Sequence, residues 1–173
     1  THALYPSRSE LRGITFKNKQ DEMHCSCCPV LSLYFIEGDQ MKILFVITSL
    51  GIGGAERQVL NLADSLSAMG HQIQIAYLTG PAHLMPKNSN IKVVPIDISK
   101  SPFRFARGYL RLRRLISDFK PDVVHSHMVH GNLLARVVRL TTKIPKLVCT
   151  AHNTNEGGWP RMFAYRLTDS LAD

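Results

Sequence analysis

From Met41 onward two hydrophobic rhythms alternate along the chain. Lys42 to Thr48 is a short apolar run rich in branched side chains, the pattern of a strand covered on both faces of a parallel sheet. From Ala55, the residues Val59, Leu60, Leu62, Ala63 and Leu66 recur at helical spacing. Gln72 to Leu78 alternates polar and apolar, and Ile91 to Ile96 is another short apolar run. A helix near Phe103 to Phe119 is predicted to stop at Lys120-Pro121-Asp122, because proline cannot continue it. Val123 and Val124 open a further strand. Gly131 to Leu140 carries Leu133, Leu134, Val137 and Val138 at helical spacing, Pro145 precedes a strand over Lys146 to Ala151, and Trp159 to Leu171 reads as a last helix. Strands alternating with helices predict an α/β fold with a doubly wound parallel sheet.

Residues 1–40 follow neither rhythm. They hold Cys25, Cys27 and Cys28 close together, with His24 beside them, but no second Cys or His group completes a four-ligand zinc site. The apolar stretch Pro29 to Ile36 is too short to span a bilayer, and what precedes it lacks the basic start and small-residue cleavage site of a secretory signal. The expectation is a poorly ordered leader over 1–40 that is dispensable for folding, followed by one domain over 41–173. Cys149, inside the predicted strand, reads as a buried small apolar residue, so no disulfide framework is expected and a reducing cytoplasm fits.

The chain is 45% hydrophobic and 20% charged, enough for one full core. Its formal net charge of +8 is unevenly shared: residues 1–40 hold four Lys/Arg and five Asp/Glu, and residues 41–173 hold 17 and 8. The basic excess therefore belongs to the folded part, where it would attract phosphorylated substrates or an anionic membrane. Arg104, Arg107, Arg111 and Arg114 step along one flank of the helix that also carries Phe105, Tyr109, Leu112, Ile116 and Phe119. This pattern suits a helix at a membrane interface, and equally a surface helix packed on a sheet with its arginines solvated. No nucleic-acid partner is expected.

In a doubly wound sheet, ligands sit beyond the carboxyl ends of the strands. The first strand ends in a loop with Gly51, Gly53 and Gly54, which turns tightly and leaves its N–H groups uncovered at a helix start, the makings of an anion site. Glu56 and Arg57 follow. A later strand delivers His125, Ser126, His127, His130 and Asn132; the last delivers Thr150, His152, Asn153, Thr154, Asn155 and Glu156. His125 and His127, two apart on a strand, share a face, with His130 expected in the loop behind them. Carboxylate partners for a metal are scarce and the spacing is loose, so these histidines read as hydrogen-bonding groups and no metal is expected.

These motifs together resemble the N-terminal half of family 4 glycosyltransferases, enzymes of the GT-B architecture. The matching pieces are Met41 to Leu50, the Gly-Ile-Gly-Gly-Ala-Glu-Arg loop at 51–57, Pro-Asp-Val-Val-His-Ser-His at 121–127 with Gly131-Asn132 behind it, and Thr-Ala-His-Asn at 150–153. The resemblance implies a Rossmann-like half and a reaction in which a sugar moves, with retention, from a nucleotide-sugar co-substrate to a hydroxyl acceptor. No other cofactor and no obligatory metal are implied. Gly53 and Gly54 would offer N–H groups to the leaving phosphate, Glu56 would favour the positive helix end, and Arg57 would contact an anionic acceptor. His152 would lie under the transferred sugar and His127 would shape the acceptor side, with Asn132 and Asn153 as further contacts. Such enzymes often build surface polysaccharides or glycolipids on lipid carriers at the cytoplasmic face of the membrane.

The family's second domain, which grips the donor through basic residues and paired glutamates, is not matched within 173 residues. The expectation is that this chain alone transfers no sugar. Two other classes compete: a non-enzymatic module that binds an acceptor or partner, and a nicotinamide-dependent oxidoreductase. The latter lacks the fuller Gly-x-Gly-x-x-Gly, and Leu78-Thr79-Gly80 offers no acid for a ribose.

Overall fold

The computed structural model describes residues 40–99, 101–152, 163 and 166–173. Five strands, β1 (Lys42–Ile47), β2 (Gln72–Tyr77), β3 (Lys92–Pro95), β4 (Val123–His127) and β5 (Lys146–Thr150), form one sheet in the order β3-β2-β1-β4-β5. All the pairings are parallel. Three helices connect them: α1 (Gly54–Ala68), α2 (Pro102–Phe119) and α3 (Met128–Arg139). The expected doubly wound α/β sheet is thus present, and each expected strand lies within a residue or two of its place. Residues 1–39 of the expected leader, with Cys25, Cys27 and Cys28, lie outside the described residues.

Alternation along the central strand divides the core. Leu44 and Val46 point to one face, where they join Leu112 and Ile116 of α2, Leu134, Ala135 and Val138 of α3, and Val124 and Leu147 of the neighbouring strands. Ile43, Phe45 and Ile47 point to the other, beneath α1, whose buried apolar side chains are Val59, Leu60, Ala63 and Leu66. Every residue of β1 from Ile43 to Ile47 is fully buried, as a strand covered on both faces should be.

Register sets the rim that matters. Pro95, Tyr77, Ile47, His127 and Thr150 stand side by side across the sheet at the carboxyl ends of the five strands. The strand order turns back between β1, whose other neighbour is β2, and β4, whose other neighbour is β5; a doubly wound sheet opens its ligand crevice at such a switch point.

Two local differences from the sequence reading have physical causes. The third helix begins at Met128, three residues before Gly131, so His130 lies in the first helical turn and not in a loop. Cys149 is only half buried, and its Sγ accepts a hydrogen bond from the Ser126 hydroxyl at 3.2 Å, because its strand is flanked on one side only by β4. The last helix lies largely outside the described residues. Of its described part, Phe163 and residues 166–168 are helical and Asp169–Leu171 is a 3-10 turn. This end is docked by α3: the buried Arg136 reaches Thr168 and Asp169, and Arg139 reaches the Leu171 carbonyl and Asp173. Among the described residues, no helix is long and apolar enough to cross a membrane.

Candidate active site

Two strand-to-helix junctions flank the switch point. After β1, residues 48–53 form a loop whose Leu50 carbonyl accepts N–H groups from His83 and Leu84, at 2.9 and 3.2 Å. The first helical bond of α1 runs from the Arg57 N–H to the Gly53 carbonyl at 3.3 Å. Gly54, Ala55 and Glu56 therefore begin the helix with N–H groups that have no acceptor within it. Gly53 is half buried and Gly54 exposed, so these amides lie near the surface as the glycine pattern predicts.

Glu56 behaves differently from a ligand contact. It is buried, its carboxylate accepts the Ser49 hydroxyl at 3.2 Å, and it folds back so tightly that a Cβ on Gly53 would collide with it. Glycine at 53 leaves room for this close approach, and the acid lies at the positive end of its own helix. Arg57, one residue on, is exposed and free to meet an incoming anion.

The second junction has no loop at all. β4 ends at His127, which is itself the N-cap of α3, and Met128 turns the chain with φ at 65°. A left-handed residue with a long side chain costs about 1–2 kcal/mol, a strain of the kind stored at functional sites. Gly131 then lets α3 approach β1: a Cβ there would stand 3.1 Å from the Val46 carbonyl oxygen.

Along this junction the histidines form a stack. His125 and His127 are buried on the Phe45 face, with ring centroids 4.1 Å apart and Phe45 at 5.5 and 5.9 Å. His152, half buried, stacks on His127 at 5.3 Å and sets its Nε2 3.1 Å from His127 Nδ1. His125 Nε2 meets the Thr150 hydroxyl at 2.8 Å. Burial pushes the His125 pKa down from 6.5 to about 4, with His152 adding to the effect; burial, then His125 and His152, push His127 to about 2. Both rings are therefore neutral, each with one donor and one acceptor nitrogen. Nε2 of His127 is buried and has no hydrogen-bond partner.

Gly53 and Gly54 follow the carboxyl end of β1, His127 ends β4 and His152 follows β5, so all four belong to the carboxyl-end side of the sheet. Asn132 is fully buried and gives its amide to the Thr150 carbonyl at 3.1 Å, so it braces β5 from beneath and does not reach the surface. Asn153 lies outside the described residues. The sequence places His125 and Thr150 among the strand-end polar groups and reads His125 as a hydrogen-bonding group, but gives no signal that the two bond to each other. Among the described residues, no group of three or more His, Cys, Asp and Glu side chains is arranged to hold a metal.

Comparison with known proteins decides the family. The family model of Glycosyltransferase Family 4 matches residues 52–171, which include the end of the first junction, all of the second and His152. The chain belongs to Glycosyltransferase Family 4. Among curated relatives it is 25% identical, over 132 residues, to GalNAc-alpha-(1->4)-GalNAc-alpha-(1->3)-diNAcBac-PP-undecaprenol alpha-1,4-N-acetyl-D-galactosaminyltransferase of Campylobacter jejuni. That match covers 72% of this chain and 36% of the relative, so the chain spans about a third of that enzyme's length. In fold it is similar to Acinetobacter baumannii MurG (TM-score 0.60, 17% identity, 77% of this chain and 40% of that one). It is similar also to a glycosyltransferase from Rickettsia africae ESF-5 (TM-score 0.60, 22% identity, 74% and 34%). The sheet described above is the Rossmann-like N-terminal half of the GT-B architecture.

Proposed function

We propose that this family 4 domain is the acceptor-side half of a retaining transferase that moves a sugar from a nucleotide sugar to a hydroxyl of a glycan or lipid-linked acceptor in surface polysaccharide or glycolipid synthesis. The observation that supports this reading is that the junction leading into α1 and the His127–His152 pair both follow the carboxyl ends of neighbouring strands at the switch point. Amides at Gly53 and Gly54 are suited to charge developing on a departing phosphate, and a guanidinium at Arg57 to an anionic acceptor. His152 hydrogen-bonds the transferred sugar, and His127 holds His152 and shapes the acceptor side. Helix amides and arginine stabilise the leaving diphosphate without a metal. The named relative acts on an undecaprenyl-diphosphate-linked glycan, which supports a lipid-linked acceptor.

Peripheral attachment at the inner face of the membrane extends the same reading. α2 starts beyond the carboxyl end of β3, and its first turns are exposed. Phe103 is 85% and Phe105 50% exposed, interleaved with Arg104 and Arg107. Leu112 and Ile116 instead pack into the core, and Arg111 is paired with Asp97 at 2.5 Å, so the membrane-facing part is the N-terminal half of the helix. Binding to anionic vesicles that is lost when Arg104, Arg107, Arg111 and Arg114 become glutamate supports this contact, and unchanged binding refutes it.

We further propose that these 173 residues alone do not turn over a nucleotide sugar, because nothing in them matches the family's donor grip. Calorimetric titration with geranyl diphosphate, UDP-N-acetylgalactosamine and NAD in separate arms tests the assignment. The acceptor-side reading expects the prenyl diphosphate to bind. Binding of NAD alone would favour a dehydrogenase, and sustained release of UDP would refute inactivity.

A further inference from the structure

Thr150, the last residue of β5, is gripped from two directions. Its hydroxyl lies 2.8 Å from Nε2 of His125, and its carbonyl accepts the Asn132 amide at 3.1 Å. His125 and Asn132 are each fully buried and come from different elements, β4 and α3. Asn132 reaches β5 because its neighbour Gly131 has no Cβ to hold α3 away from β1. Two residues beyond Thr150 stands His152, with Nε2 bonded to His127 Nδ1, and His127 in turn stacks on His125. The hydroxyl grip fixes the side-chain face of Thr150, and the carbonyl grip fixes its peptide plane. The direction in which the chain leaves the strand toward His152 is then set from both sides.

We propose that His125, Thr150 and Asn132 act together as positioning residues that fix where the His152 imidazole points and which of its nitrogens carries the proton. An imidazole at the end of an unbraced strand samples several rotamers and both tautomers, and binding must then bear the cost of ordering it. Here the neighbouring ring takes up one nitrogen, and the brace on Thr150 keeps that bond in register, so the other nitrogen is of one defined type. The purpose of such a lock rests on reading His152 as the sugar-facing group. Its existence does not, and it can be measured without any sugar.

Long-range proton–nitrogen correlation spectra of the 173-residue chain at pH 7.5 report the tautomer of each histidine. The lock predicts two well-separated nitrogen shifts for His152, one of protonated and one of bare type. Thr150→Val and Asn132→Ala should each draw those two shifts toward their average, and Thr150→Ser, which keeps the hydroxyl, should restore them. His125→Phe combined with Thr150→Val leaves neither buried partner orphaned, so it retains the fold even where the single change does not. It too should show the collapsed pair, with the amide spectrum of β1 and β2 unchanged. Well-separated His152 shifts in the double variant, or a Thr150→Ser spectrum as collapsed as that of Thr150→Val, would overturn the proposal. A purely stabilising role would lower the melting temperature and leave the His152 nitrogens where they were.

Discussion

The two junctions at the switch point do opposite things with the same connection. After β1 the chain spends six residues, including Gly51 and Gly53, to lay backbone amides near the surface, and uses its own Glu56 as the counter-charge. After β4 it spends none: His127 passes straight into α3 through a left-handed Met128, and the polar groups there are rings stacked in a dry interior. On the proposed function, the first junction meets an anion through its exposed amides and Arg57. The second is built to hold neutral hydrogen-bonding rings in fixed places, a task that suits an uncharged sugar. On the proposed function, a charged leaving group and a neutral sugar share one crevice, each facing its own junction.

The sharpest way to break this contrast is acid. His125 and His127 have folded pKa values of about 4 and about 2 against an ordinary 6.5. Below pH 6.5 the unfolded chain therefore binds more protons than the folded one, and stability, complete above that pH, is lost as the pH falls toward the folded values. Each ring should cost about 2 kcal/mol between pH 7 and pH 5. Urea midpoints at the two pH values measure this, and His125→Gln should flatten the dependence. A pH-independent midpoint would mean that the rings are not buried as neutral groups.

Next in size is the close approach of α3. Gly131→Leu would force a side chain against the Val46 carbonyl and the Thr48 backbone, which cannot move aside as a flexible side chain could, and should cost about 3 kcal/mol by denaturant melts. Gly53→Ala should cost only about 1 kcal/mol, because its neighbour is the mobile end of Glu56 and its φ of −123° suits alanine. If the two glycines proved equally sensitive, the distinction between an adjustable and a rigid junction would fail. The smallest effect is expected at Met128. Glycine there removes left-handed strain but adds chain entropy to the unfolded state, and should raise stability by about 0.5 kcal/mol while loosening the turn that carries His127.

How well each junction can be read from sequence follows from its chemistry. The glycine loop announces itself because only glycine leaves amides bare, so Gly53 and Gly54 and the helix behind them are legible from residue types. Alternation within Val123 to His127 is equally legible and places His125 and His127 on a shared face. Other features are not. Met128 is an ordinary helix former, so nothing in its identity signals a left-handed turn, and the pattern alone starts α3 three residues too late. Asn132 reads as a ligand contact from the motif it belongs to, yet its amide turns inward onto Thr150, and Glu56, expected at the positive helix end, turns its carboxylate onto Ser49. Which polar group faces inward is decided by packing among α3, β1 and β5, contacts far apart in sequence that no local pattern encodes. The half-exposure of Cys149 is hidden for the same reason, since its burial depends on what flanks β5.

The central claim is that the bare amides of the first junction and the imidazoles of the second face one shared crevice. Titrating the isotopically labelled chain with geranyl diphosphate, while following backbone amides and histidine side chains together, tests it most directly. The account predicts that Gly53, Gly54 and the His152 ring shift along a common binding curve, and that Arg57→Ala weakens this curve about tenfold. Saturable binding that moves residues at the amino ends of the strands, or moves the glycine amides while leaving His152 untouched, would contradict it.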